Sequence, residues 1–402
     1  MNVFALSFLA MLLLVLAERV WLQRRKRRVA SWRYLVLNLN SGHVVMWAFR
    51  GVELLGFALV LQHASLGWVG HWPPVGQWLF AWLAWDLCFY WMHRLHHTMP
   101  LLWAVHQVHH AGEHFDLSLG VRNSWYSSLS SFPFMVVLAV VGVPLEVFVV
   151  VSSLHYSVQF YNHNAVVGRS GWLDRVMVTP SNHRVHHGTH PLYINKNFGG
   201  TLLLWDKFFG SYQAERSDIA MQYGLVKSAH IATATATATK APVAASGNPV
   251  WANHPALQAW WQGRLSVVRR SAHAALPVSD GYIGVGGVLL FVLVIAYVNA
   301  QAQLSGVSQA LLFGALVLGT VALGGQSDGR RWGGCLWVAV MTCMPVGVVL
   351  MWGWGRHGFF PAALALSLHA WVGVWRWPLQ RIKAPIAVDE QGLNRLNPSK
   401  KA

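Results

Sequence analysis

Two pentapeptides with one spacing, HQVHH at His106–His110 and HRVHH at His183–His187, are the stretches best equipped for chemistry. On a helix, residues three and four apart share a face, with about 5–6 Å between Cβ atoms. Each H-x-x-H-H is therefore expected to aim its imidazoles at one point. His93 and His97 repeat the four-residue step, and His163 lies between the two pentapeptides. Thirteen of the 21 histidines fall between His93 and His190, which random scatter over a surface does not explain. Neutral imidazole is the commonest metal ligand. The nine rings of His93, His97, His106, His109, His110, His163, His183, His186 and His187 are more than one metal can use. Structural zinc usually takes thiolates as well, and no cysteine stands in a C-x-x-C pair. A facial-triad iron site needs a carboxylate, and carboxylate-bridged bundles need E-x-x-H. Two borderline transition metals remain, each with about four or five nitrogens and a position left for oxygen.

Metal-bound histidines usually donate their free ring N–H to a neighbouring acceptor. Asp86, Glu113, Asp116 and Asp174 are within sequence reach of that task. Asp86 and Glu113 are the candidate catalytic acids. Asp86 is favoured because an acid at the end of an apolar helix is costly unless paired. His96 points off the His93/His97 face, and His96, His114 and His190 read as supporting or surface residues.

The elements that must carry these residues are membrane helices. The chain has 402 residues, of which 54% are hydrophobic and 11% charged, and its mean hydropathy is +0.38. Apolar runs long enough for a bilayer, about 20 helical residues, fall at Val3–Ala17, Val44–Leu61 and Gln77–Trp91. Trp125–Val141 and Leu145–Tyr161 form a hairpin broken at Gly142 and Pro144. Ile283–Ala300, Gly306–Gly324, Gly334–Trp352 and Phe359–Trp375 make a C-terminal set of four. The net charge of +16 could suggest nucleic acid, but the basic residues bracket apolar segments, as the positive-inside rule describes. Arg24–Arg28 follow the first apolar run, which reads as an anchor with its C-terminal end in the cytoplasm. Arg330, Arg331, Arg376, Arg381 and Lys383 mark further cytoplasmic ends, and only Arg356 falls in an outside loop. This topology brings every candidate ligand to the cytoplasmic face. Arg50 and Glu53 share a face within a span and read as a structural ion pair. Residues 231–248, IATATATATKAPVAASGN, read as a low-complexity linker, followed by an interfacial helix bearing Trp260 and Trp261. His357 and His369 are isolated and read as scaffold.

Three blocks, YWMHRLHH, WAVHQVHHAGEHFDLSLGVRNS and TPSNHRVHHGTHPLYINKNFGGTLLLWDKFFGSYQAE, carry a resemblance over residues 75–225. The sequence resembles the fatty acid hydroxylase and sterol desaturase superfamily of integral-membrane non-haem di-iron oxygenases, and within it the alkylglycerol monooxygenase-like branch. That resemblance implies ligation of two iron ions by the nine histidines above, with dioxygen used to hydroxylate or desaturate a lipid chain. It also implies an external electron donor, a reduced pterin such as tetrahydrobiopterin or a separate redox protein. No haem domain, ferredoxin cysteines or G-x-G-x-x-G fingerprint is present to serve internally. Asp116 and Asn195 depart from the family pattern, which has Asn and Asp there.

The expected fold is an all-α integral membrane protein, a multi-span bundle with a histidine-rich helical cap at the cytoplasmic face. Its expected parts are anchor helices over 1–74, a catalytic unit over 75–227, a linker and interfacial segment over 228–280, a four-span region over 281–380 and a polar tail over 381–402. The expected partners are a bilayer lipid, O2 and the electron donor, with no nucleic acid, and a bacterial inner membrane is favoured over the endoplasmic reticulum. Rival readings are a membrane metal transporter, whose site would lie near the midplane, and a di-haem membrane cytochrome.

Overall fold

The computed structural model describes residues 1–225, 248–251, 253, 278–352 and 359–382. The linker up to residue 247, the segment over 254–270, Arg356, His357 and everything beyond 382 lie outside the described residues.

The fold is α-helical, with no strand among the described residues and a single bridge pairing Met177 with Leu202. Helix α1 is Val3–Arg24, opened by Asn2, whose side chain accepts from the Ala5 N–H. Ser31 does the same for α2, Trp32–His63, as short polar side chains do at helix starts. At 32 residues and 1.5 Å per residue, α2 is about 48 Å long, well beyond a hydrocarbon core of about 30 Å. Its first turns therefore stand beside the cap. Asn38 there donates to Ser118 and accepts from Arg122.

Proline sets the boundaries that matter for the histidines. Pro74 opens α3, Pro74–Thr98, and Pro100 opens α4, Pro100–His110. A first-turn proline loses no helix bond, and it bars the preceding residue from helical dihedrals. Met99 is accordingly extended (φ −96°, ψ 122°) and the chain folds back after α3. Helices α5 (Leu117–Gly120), α6 (Ser127–Val140) and α7 (Leu145–Asn162) follow. Pro180 opens α8, Pro180–His187, and α9 is Leu204–Phe208. The C-terminal set is α10 (Asp280–Ala300), α11 (Gly306–Ser327), α12 (Arg331–Trp352) and α13 (Phe359–Ile382).

By length and composition, Val3–Arg24, Asp280–Gln303, Gly306–Ser327 and Arg331–Met351 can cross a membrane. The expected spans at Val44–Leu61, Gln77–Trp91 and Leu145–Tyr161 are not among them, and the hairpin's first arm and the fourth C-terminal span correspond to shorter apolar helices, Ser127–Val140 and Phe359–Val374. The protein is an integral membrane protein with two distinct ends. At one end Asn2 bonds to Val298 O and Asn299, and Gly142 (φ +91°) packs on Gly67 (φ +69°). A Cβ on Gly142 would stand 2.9 Å from the Gly67 Cα, so the α6–α7 turn needs glycine there. At the other end the Asp280 carboxylate accepts from the Trp32 and Arg33 N–H groups. That end also carries Arg24–Arg28, Arg330, Arg331 and all nine candidate ligands. Between the ends, Arg50 pairs with Glu53 at 2.7 Å and donates to Ser152 of α7. One apolar core joins α1, α2 and α10–α13 around Phe291 and Trp337. The other lies among α2, α3, α6 and α7, where Phe57 stacks on Phe148 at 4.0 Å.

Candidate metal centre

The nine histidines meet in two adjacent groups. His93 and His97 from α3, His106 and His110 from α4 and His186 from α8 form the first. His109 from α4, His163 at the end of α7 and His183 and His187 from α8 form the second. Within each group the nearest ring nitrogens all lie within 4.8 Å of one another. The groups touch where the rings of His110 and His187 stack at 4.4 Å.

This corrects the expectation that each H-x-x-H-H converges on one point. The outer pair of each pentapeptide, four apart, stays together: His106 with His110, and His183 with His187. The histidine three along crosses to the other group, His109 to the second and His186 to the first. Four residues make about 1.1 helical turns and three about 0.8, so the ring four along lies about 40° to one side of the first and the ring three along about 60° to the other, and the two diverge to neighbouring groups. Two short helices thereby each serve both groups.

Four of the nine rings are oriented by main-chain oxygen, in place of the expected carboxylate acceptors. Nδ1 lies 2.9 Å from Phe198 O in His93, 3.0 Å from Arg122 O in His109, 2.7 Å from Gln159 O in His163 and 2.9 Å from Lys196 O in His186. A carbonyl oxygen only accepts, so Nδ1 carries the proton and Nε2 presents a lone pair. His109 and His163 then bring two lone pairs to 3.1 Å. Similar Nε2–Nε2 approaches join His93 to His106 (3.0 Å), His106 to His110 (3.1 Å), His110 to His186 (3.0 Å) and His163 to His183 (2.9 Å). Burial holds the rings neutral, with the pKa of His109 pushed down to about 4 and that of His186 to about 3. The buried Nε2 of His97 has no hydrogen-bond partner among the described residues. Facing lone pairs repel unless a cation lies between them. The donor sets, five and four imidazoles without thiolate or carboxylate, therefore fit metal ions.

Of the acids, Asp86 is buried away from the rings. It accepts from Thr201 N (2.7 Å), Leu202 N (3.1 Å) and Trp205 Nε1 (3.0 Å). Glu113 is exposed. Asp116 caps α5 through the Ser118 and Leu119 N–H groups, and Asp174 accepts from Ser170 N and the Thr179 hydroxyl. His96 bonds to Met92 O and Ser130, and His190 lies outside both groups.

Several positioning residues carried no signal in the spacing. Asp206 accepts from Phe198 N (2.8 Å), Gly199 N (2.7 Å) and Ser211. Together with Asp86 it clamps the 196–202 loop, whose carbonyls at 196 and 198 hold His186 and His93. A Cβ on Gly199 would stand 2.8 Å from Asp206, and one on Gly200 2.8 Å from Asp86, which explains the glycine pair. Asn195 and Asn197 sit at φ +57° and +55°, a region that asparagine tolerates better than most residues. Glu18 of α1 accepts from Leu117 N and Ala165 N, tying the first helix to the cap. His155, sandwiched between Trp82 and Trp85, bonds to Thr201.

Fold and site together define a helical integral membrane protein with a paired polyhistidine centre at one end of its bundle. Residues 78–211 match the fatty acid hydroxylase family model. Alkylglycerol monooxygenases are similar to part of the chain. That of Danio rerio is 37% identical over 179 residues, 44% of this chain and 39% of its own. That of Homo sapiens is 36% identical over 180 residues, with the same shares. An ornithine lipid hydroxylase of Rhizobium tropici is 27% identical over 205 residues, 48% of this chain and 60% of its own. The chain thus spans less than half the length of the alkylglycerol monooxygenases it matches. No solved structure matches. Residues 78–211 therefore match a fatty acid hydroxylase domain, in a chain that is similar in part to alkylglycerol monooxygenases.

Proposed function

We propose that this protein is an O2-dependent membrane lipid hydroxylase, with one iron held by His93, His97, His106, His110 and His186 and a second by His109, His163, His183 and His187. The observation that carries the reading is the pair of buried, carboxylate-free imidazole groups with lone pairs turned inward. Two irons held there would supply the oxidising power for attack on an unactivated C–H bond. The chain's own part is geometric. Main-chain carbonyls at Arg122, Gln159, Lys196 and Phe198 fix the ring tautomers, and Asp86 and Asp206 hold the loop that offers two of them. Burial by Phe115, Phe198 and Val185 keeps water from the rings.

The substrate class is an alkyl-chain lipid entering from the bilayer, such as the alkylglycerols or ornithine lipids named for the relatives. Reducing equivalents come from outside the chain, from a redox protein or a reduced pterin. The basic end of the bundle is assigned to the cytoplasm, in a bacterial inner membrane, with residues 75–227 as the catalytic unit and 281–380 as supporting membrane helices. Mass spectrometry of lipid extracts from cells with and without the expressed chain tests this. A lipid gaining one oxygen or losing two hydrogens is expected, together with iron and no Soret band in the purified protein. Unchanged lipids with a haem spectrum would favour the cytochrome reading, and unchanged lipids with altered cellular metal would favour transport.

A further inference from the structure

The cap carries an exposed apolar face that the metal centre does not use. Phe208 is 76% exposed, Trp172 70%, Val176 50% and Leu204 50%. They lie together because Leu203 N bonds to Val176 O at 3.0 Å, joining α9 to the 3₁₀ turn at Gly171–Arg175. Arg175 and Lys207 are exposed on the same surface, with Lys207 donating to the Arg175 carbonyl. Soluble surfaces scatter single apolar side chains, and a contiguous group rimmed by cations marks an interaction site.

Its level in the fold identifies the partner. Helix α9 lies across the ends of α3 and α7. Trp205 bonds to Asp86, Phe209 stacks on Tyr90 at 5.3 Å and meets Trp91 at 4.9 Å, and Gln159 of α7 donates to Gly200 O. The exposed face continues the outward residues Trp91 of α3 and Leu154 and Tyr161 of α7. Aromatic rings with adjacent Lys and Arg at the end of apolar helices belong to the headgroup layer.

We propose that the surface of Trp172, Val176, Leu204 and Phe208 is seated in the headgroup layer of an anionic bilayer, with Arg175 and Lys207 on lipid phosphates. Cations beside an anionic leaflet are drawn to its lipid phosphates, and Arg24–Arg28 at the same end add to the attraction. The seat has a consequence inside the cap. Helix α9 faces lipid through Leu204 and Phe208 and, through Asp206, holds the loop whose carbonyls orient His93 and His186. Bilayer contact and the five-histidine group thus share one short helix.

Photocrosslinking tests this. The full chain is placed in vesicles of phosphatidylcholine mixed with phosphatidylglycerol, with the photoreactive p-benzoylphenylalanine replacing Phe208, Trp172 or, as a cap control, Arg216. Positions 208 and 172 are expected to yield lipid adducts several-fold above position 216, enriched in phosphatidylglycerol over its share of the vesicle. Arg175→Gln with Lys207→Gln should remove that enrichment and leave the adducts. Lipid adducts no more abundant at 208 and 172 than at 216, or adducts to protein instead, would overturn the seat. Adducts without phosphatidylglycerol enrichment would overturn the phosphate contacts. Iron content of each protein shows that its centre is assembled.

Discussion

At the scale of single residues, the histidines that cross between groups distinguish the two metal positions. His186 is the only ring from α8 in the first group, and His109 the only ring from α4 in the second. His186→Ala should empty the five-histidine group and His109→Ala the four-histidine group, each leaving about half the iron of the parent. Loss of an outer-sphere partner alone costs about 10–100-fold in metal affinity or activity, so each variant should lose more than ~100-fold in turnover. His190→Ala, outside both groups, should change neither. Iron per chain and lipid turnover check this; full iron in either crossing variant would refute the ligand assignment. The same rings make the metal-free protein acid-sensitive. His109 and His186 titrate near 4 and 3 when folded, against about 6.5 when unfolded. A histidine lowered on folding contributes stability that is complete above about 6.5 and is lost as pH falls toward the folded value. The loss is about 1.4 kcal/mol per pH unit for each such ring. The unfolding midpoint of metal-free protein should therefore drop between pH 7.5 and 5.5, less steeply in His186→Ala. A midpoint flat across that range would show that the rings are not held neutral.

At the scale of elements, the 196–202 loop is the least legible part of the sequence and the most informative in space. Among the nine rings its carbonyls hold His93 and His186, so damage there should fall chiefly on the five-histidine group. In Asp206→Asn an amide N–H₂ replaces one of the oxygens that accept from Phe198 N and Gly199 N. Gly199→Ala brings a Cβ to 2.6 Å from Leu202 O, an overpacking of about 1–3 kcal/mol. Both variants should lose iron from the first group and keep the second, which spectroscopy of the remaining iron can distinguish. Equal loss from both groups would mean a general folding defect. The apolar runs are legible as helices, and so is the break at Gly142 and Pro144; the helix starts are not, since α2 begins at Trp32 and not near Val44, and Pro74 and Pro100 open α3 and α4. The nine rings were readable as a group from their spacing. Their division five to four was not, because it depends on how Met99 and Thr179 aim α4 and α8 at each other. The acceptors are illegible for a plainer reason: main-chain oxygens have no signature in sequence, whereas carboxylates such as Asp86 and Glu113 do.

For the whole molecule, the question is which way the bundle sits. Helices alternate in direction, and three contacts fix which residues share an end. Glu18 joins Leu117 and Ala165, Asp280 joins Trp32 and Arg33, and Asn2 joins Val298 and Asn299. The first two gather Arg24–Arg28, Arg33, Arg330 and Arg331 at the histidine end. The third places residues 298–306 with Gly67 and Gly142 at the end poor in cations. Because excess Lys and Arg stay on the cytoplasmic side, the histidine cap should face the cytoplasm, where a soluble reductant can reach it. Single cysteines introduced as Arg27→Cys, Arg216→Cys and Ala302→Cys, in a chain whose Cys88, Cys335 and Cys343 are replaced by alanine, make this measurable. A membrane-impermeant maleimide should label positions 27 and 216 in inside-out vesicles and position 302 in right-side-out ones. Labelling of 27 and 302 from the same side would contradict the arrangement of α1 against α10. Labelling of 27 and 216 from outside would invert the molecule, and the electron donor would then have to be sought on the other face.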